Sequence, residues 1–126
     1  MAKLGRYSAN RFKVEAVSAS KTVAVSDCGT MFTVAGGLTL TLPDAGAAGK
    51  GWWCRIVKSD EGTDILVVAT STLDGQAVEG SGNIESLSNN FSIDGNAGKG
   101  SWAEIWSDGT QYYATGIGDT AVSFNA

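Results

Sequence analysis

Leu38-Thr-Leu-Thr-Leu-Pro43 runs directly into Asp44-Ala-Gly-Ala-Ala-Gly-Lys-Gly51 and then into Trp52-Trp-Cys-Arg-Ile-Val-Lys58. Side chains of a strand alternate between its two faces, so Leu38, Leu40 and Leu42 share one side and Thr39 and Thr41 the other. Pro43 lacks the N–H that a ladder needs and marks the strand's end. The small residues that follow read as a loop, and the next strand is apolar on both faces: Trp52, Cys54 and Ile56 on one, Trp53, Arg55 and Val57 on the other. A strand of that kind is central in a two-layered structure or takes part of its burial from another subunit.

The same reading extends outward. Val14–Val17 and Lys21–Val25 are short β-branched stretches, Ser26-Asp-Cys-Gly29 is a turn, and Met31–Val34 is a strand. Ala35-Gly-Gly37 has hairpin length, which predicts that Met31–Val34 pairs antiparallel with Leu38–Leu42. Ile65–Ala69 is a continuous apolar run suited to a core strand. Asp74-Gly75 and Glu79-Gly-Ser-Gly82 read as turns around a short strand at Gln76–Val78, and Ile84–Leu87 and Phe91–Ile93 are brief strands. Asp94–Gly100 is a glycine-rich loop. Ser101–Trp106 and Gln111–Thr115 flank Ser107-Asp-Gly-Thr110, the clearest hairpin in the chain. No segment sustains a 3.6-residue apolar period, so the fold class is all-β, expected as a small antiparallel β-sandwich or barrel, jelly-roll-like, with an extended N-terminal arm.

At 126 residues the chain suits one β domain, placed at 21–118, with a basic arm at 1–20 and a tail at 119–126. Lys3, Arg6, Arg11, Lys13 and Lys21 face only Glu15 in the first 21 residues. The remaining twelve of the 13 carboxylates then outnumber Lys50, Arg55, Lys58 and Lys99. Leu4, Tyr7 and Phe12 are interleaved with the arm's cations. Lys3, Leu4, Arg6, Tyr7, Arg11, Phe12 and Lys13 are therefore expected to contact a partner surface or an adjacent subunit.

Function classes narrow by exclusion. The chain has no His, which removes the commonest general base and metal ligand, and no nucleophile–base constellation is legible. No enzyme activity, cofactor or metal is expected. Gly49-Lys50 departs from a phosphate-binding loop at Gly51 and Asp44. Asp60, Glu61 and Asp64 sit in a Ser/Gly turn without calcium-loop spacing and read as solvated. Trp52, Trp53 and Arg55 could stack on single-stranded nucleic acid, but the body is acidic where a positive groove is required. No apolar run approaches membrane-spanning length and no secretory signal is visible, so neither a membrane nor an export route is expected. Cys28 and Cys54, each placed among apolar strand residues, are expected as reduced thiols. Trp102 and Trp106 share a face with Glu104, opposite Ala103 and Ile105. With Trp53 and Arg55 they form an expected subunit interface, and the apolar surface they leave predicts a homotrimer.

The order of the pieces resembles a small β module of tailed-bacteriophage virion proteins, found in capsid decoration (cement) proteins and in tail fibres. The resemblance rests on Thr39–Pro43, Asp44–Gly51, Trp52–Val57, Ile65–Ala69, Leu73-Asp-Gly75 and Asp108-Gly-Thr110 with Tyr112, where Trp is usual, and covers about residues 30–116. It implies a non-enzymatic structural protein on the outer capsid surface, assembled in the host bacterial cytoplasm. Its expected partners are the major capsid protein and its own copies. The alternative it implies is a tail-fibre or receptor-binding virion module, in which the Trp residues could form a sugar platform.

Overall fold

Strand alternation is realised from Lys13 onward in a computed structural model that describes residues 11–69, 73–78, 84–85, 90–93, 98–117 and 122–123. The protein is all-β. Among the described residues twelve strands are formed: β1 (Lys13–Val17), β2 (Lys21–Thr22), β3 (Thr30–Val34), β4 (Thr39–Thr41), β5 (Lys50–Lys58), β6 (Ile65–Val68), β7 (Leu73–Val78), β8 (Ile84–Glu85), β9 (Asn90–Ile93), β10 (Trp102–Asp108), β11 (Tyr112–Ile117) and β12 (Val122–Ser123). They build a seven-stranded sheet ordered β1-β3-β5-β10-β11-β7-β8 and a five-stranded sheet ordered β12-β9-β6-β4-β2.

The first six strands alternate between the two sheets and pair in parallel within each: β1 with β3 and β3 with β5 in one, β2 with β4 and β4 with β6 in the other. This half of the chain is a three-turn coil, each turn giving one strand to each sheet. The corners stack as well. Ser20 Oγ accepts from the Thr39 N–H at 3.0 Å, and the Gly37 N–H donates to the Asp64 carbonyl at 2.9 Å. Antiparallel strands then end the parallel stacking: β10 lies against β5 and β9 against β6. The hairpin of β10 and β11 forms as expected, with Gly109 at φ 94° in its turn.

Several expectations are corrected. Met31–Val34 and Leu38–Leu42 do not form an antiparallel hairpin, because β3 and β4 belong to different sheets. The connection between them is held to the next corner instead: the Gly36 N–H donates to Asp60 Oδ1 at 3.1 Å, and a Cβ at Gly36 would lie 2.4 Å from the Thr63 carbonyl oxygen. The close approach that only glycine permits carries the chain across, where a hairpin would have turned it back. Pairing is thus mixed and departs from the antiparallel pattern of a jelly roll. Asp74-Gly75 lies inside β7 and is not a turn. The loop after Pro43 contains a one-turn helix, α1 (Ala45–Ala48), because Asp44 Oδ2 accepts from the Gly46 and Ala47 N–H groups and caps it. The sheet begins at Lys13, within the stretch assigned to the arm. The turn expected at 79–82 and residues 94–97 lie outside the described residues, as does all of the 119–126 tail except 122–123.

Inward residues of both sheets meet in one core. The seven-stranded sheet contributes Phe32, Val34, Trp52, Cys54, Ile56, Ala103, Ile105 and Tyr112, and the five-stranded sheet Leu40, Ile65, Val67, Phe91 and Ile93. Burying each of the larger side chains is worth about 1.5–3 kcal/mol, which makes this layer the main source of stability. Cys54 belongs to the core as expected, whereas Cys28 is exposed after a 3-10 turn at Val25–Asp27; both are free thiols. Lys58 is fully buried, and its ammonium donates to the Gly62 and Thr63 carbonyls at 2.9 Å each.

Candidate functional site

The period-two rule that buries Trp52, Cys54 and Ile56 turns Trp53, Arg55 and Val57 to the outer face of the seven-stranded sheet. On β10 it does the same with Trp102, Glu104 and Trp106, while Ala103, Ile105 and Ser107 are buried. Register aligns them. Trp53 lies opposite Trp106, Trp106 opposite Tyr113, Arg55 opposite Glu104, and Val57 opposite Trp102. Phe12 joins the first of these rows. By the register that sets Lys13 against Thr30 it falls beside Gly29, which has no side chain, and its ring reaches over to Trp53.

A cross-strand aromatic row results: Phe12, Trp53, Trp106 and Tyr113. Phe12 meets Trp53 edge to face at 5.8 Å between centroids, and Trp106 stacks on Tyr113 at 4.7 Å with 24° between the planes. Phe12 is 53% and Trp106 43% exposed, so the row opens to the outside. Below it, Arg55 Nη2 donates to Glu104 Oε2 at 2.6 Å, and the guanidinium carbon lies 5.7 Å from the Phe12 ring centroid and 5.0 Å from that of Trp102. The ion pair neutralises the centre of the face, and the guanidinium lies within cation–π range of both rings. Arg55 Nε is buried without a hydrogen-bond partner.

All four residues expected at a subunit interface, Trp53, Arg55, Trp102 and Trp106, are thus brought together. Of the expected arm contacts, Phe12 packs on this chain's own sheet, Arg11 is exposed, and Lys13 opens β1 with its ammonium 3.9 Å from Asp27. Lys3, Leu4, Arg6 and Tyr7 lie outside the described residues. Tyr113 escaped the sequence reading, although its alternation with the buried Tyr112 signals an outward ring.

Other candidate chemistry resolves into local structure. Asp60 Oδ1 accepts from the Gly36 and Gly62 N–H groups, and these two bonds hold its carboxyl below the usual value. Glu61 accepts from the Lys99 N–H at 3.3 Å. Gly49 ends α1 and Lys50 opens β5, exposed. Among the described residues no group of His, Cys, Asp and Glu is arranged to hold a metal ion, and no helix is long and apolar enough to cross a membrane. Comparison with protein-family models, with curated proteins and with solved structures finds no match to this chain.

Proposed function

We propose that the protein is a non-enzymatic virion structural protein, a capsid decoration or cement protein. In this reading it docks by the outer face of its seven-stranded sheet on the major capsid protein and on its own copies, gathered as homotrimers on the outer capsid surface. The observation that carries the reading is the row Phe12–Trp53–Trp106–Tyr113 beside the Arg55–Glu104 pair. Trp, Tyr and Arg at the centre of a water-excluding patch are the residues that dominate protein interfaces. The pairing of Arg55 with Glu104 argues against a phosphate backbone as the occupant, since counterion release needs unpaired cations. The virion setting is supported by the resemblance of the motif order.

A second reading, a tail-fibre or receptor-binding module, is favoured by the Trp106–Tyr113 stack, whose flat exposed ring could carry a sugar. Co-sedimentation of the full chain with undecorated capsids tests the first reading. Wild-type protein should pellet with the shells, and Trp106→Ala or Arg55→Ala should remain in solution. Absence of wild-type binding, with binding to host surface glycan, would transfer the proposal to the second.

A further inference from the structure

Sheet edges in this fold are unequal. Among the described residues the strands at three of the four ends, β2, β8 and β12, span two residues each, a short template for pairing. The fourth, β1, has five residues, and its free side has no partner among the described residues. Its outward side is apolar and exposed, with Val14 at 60% and, immediately ahead of the strand, Phe12 at 53%.

The backbone of β1 decides which residues can accept a partner. The Val17 carbonyl accepts from the Ala35 N–H, just after β3, so Val17 and, by alternation, Glu15 and Lys13 turn their backbone groups toward β3. Val14 and Ala16 turn theirs to the open side. An antiparallel partner that keeps outer face beside outer face can then be centred on Lys13, Val14 or Glu15. Centring on Lys13 sets Lys13 against Lys13 of the other copy, and centring on Glu15 sets Glu15 against Glu15. Centring on Val14 sets Lys13 against Glu15 and Glu15 against Lys13, Val14 against Val14, and Phe12 against Ala16.

We propose that a second copy of this chain pairs antiparallel with β1 about a two-fold axis at Val14, selected by two reciprocal Lys13–Glu15 contacts. Lys13 is well exposed, and its contact with Asp27 is long at 3.9 Å, so its ammonium can exchange that contact for one across the edge. The Glu15 carboxylate meets Lys21 through Oε2 and has a second oxygen to offer. The contact is isologous and uses the strand edge. It therefore stands or falls apart from the outer-face reading. If copies also cluster in threes, it would join one cluster to the next.

The test is charge complementation in the full chain, read by sedimentation velocity at micromolar concentration. Lys13→Glu alone and Glu15→Lys alone should each weaken self-association about tenfold, because both reciprocal pairs become like-charged. An equal mixture of the two variants should restore it. Cross-linking provides a test that leaves the charges untouched. In a Cys28→Ser background, oxidised Val14→Cys should give a covalent dimer, since hydrogen-bonded antiparallel partners lie about 5.5 Å apart at Cα, within disulfide reach. Ala16→Cys should not. Self-association that ignores both charge variants, Ala16→Cys linking as well as Val14→Cys, or a wild-type protein that stays monomeric while the Val14→Cys variant fails to cross-link would each overturn the proposal.

Discussion

The Tyr112 hydroxyl donates to the Pro43 carbonyl at 2.5 Å and so ties the start of β11 to the end of the Leu38 strand, 69 residues earlier. Pro43 ends one strand of the five-stranded sheet's layer and Tyr112 begins one of the seven-stranded sheet, so the bond clips the two layers together beside α1. Ser107 Oγ, which donates to the Ala45 carbonyl at 3.1 Å, clips the same corner from β10.

Tyr112→Phe keeps the ring and its edge contact with Trp52 but leaves the Pro43 carbonyl without this donor. It should lower the unfolding free energy by about 1–2 kcal/mol in a urea titration, with the cooperativity of the transition unchanged.

Alkaline pH should destabilise the fold earlier than the ordinary phenol range. Burial pushes the Cys54 thiol well above its ordinary 9.0 and the Tyr112 phenol well above its ordinary 10.0. Both groups release their protons in the unfolded chain first, so stability is fully present below about pH 8 and declines as pH rises beyond the ordinary thiol value. Urea midpoints measured at about pH 8 and about pH 10 should differ, and Cys54→Ala should reduce the difference by removing the earlier-titrating group. Equal midpoints would contradict the assignment.

Lys58 bonds the Gly62 and Thr63 carbonyls from inside the core. Lys58→Met retains the aliphatic stem and removes the donor, leaving those carbonyls unpaired at the corner that also holds Gly36. The expected cost is about 2–4 kcal/mol, read as a lowered thermal midpoint.

Trp106 and Ile105 are neighbours on β10 with opposite fates. Ile105→Ala should cost about 2–5 kcal/mol, since Ile105 is fully buried, whereas Trp106→Ala should cost under about 1 kcal/mol and act on docking instead. A Trp106 variant that unfolds as readily as the Ile105 variant would make the outer row structural.

What was legible in the sequence followed from side-chain alternation. The opposite facing of Trp52 and Trp53, and of Ile105 and the two Trp residues around it, depends only on period two and is found as read. Strand direction was not legible. A strand shows the same alternation whether its neighbour runs parallel or antiparallel, and Ala35-Gly-Gly37 fits a hairpin as well as it fits a corner. The deciding fact, the approach of Gly36 to Thr63, joins residues 27 positions apart that no local pattern connects. Asp74-Gly75 misled for a related reason: its turn propensity is outweighed by the continuous pairing of β7 with β11. Tyr113 and Phe12 were missed as members of one row because membership depends on register across strands and on the gap left by Gly29.

The coil of β1 to β6 has a consequence for how this molecule tolerates changes in length. Lys13 stacks on Thr30 and Thr30 on Cys54, so successive circuits consume 17 and 24 residues while keeping the same strand spacing. The surplus of the longer circuit is absorbed by α1 and the loop around it. Chain can therefore be added at that corner, after the Ala45 that Ser107 holds, without shifting the rows on either sheet, and a whole circuit inserted ahead of β1 would lengthen both sheets by one strand each, carrying the outer surface outward in steps of one strand width.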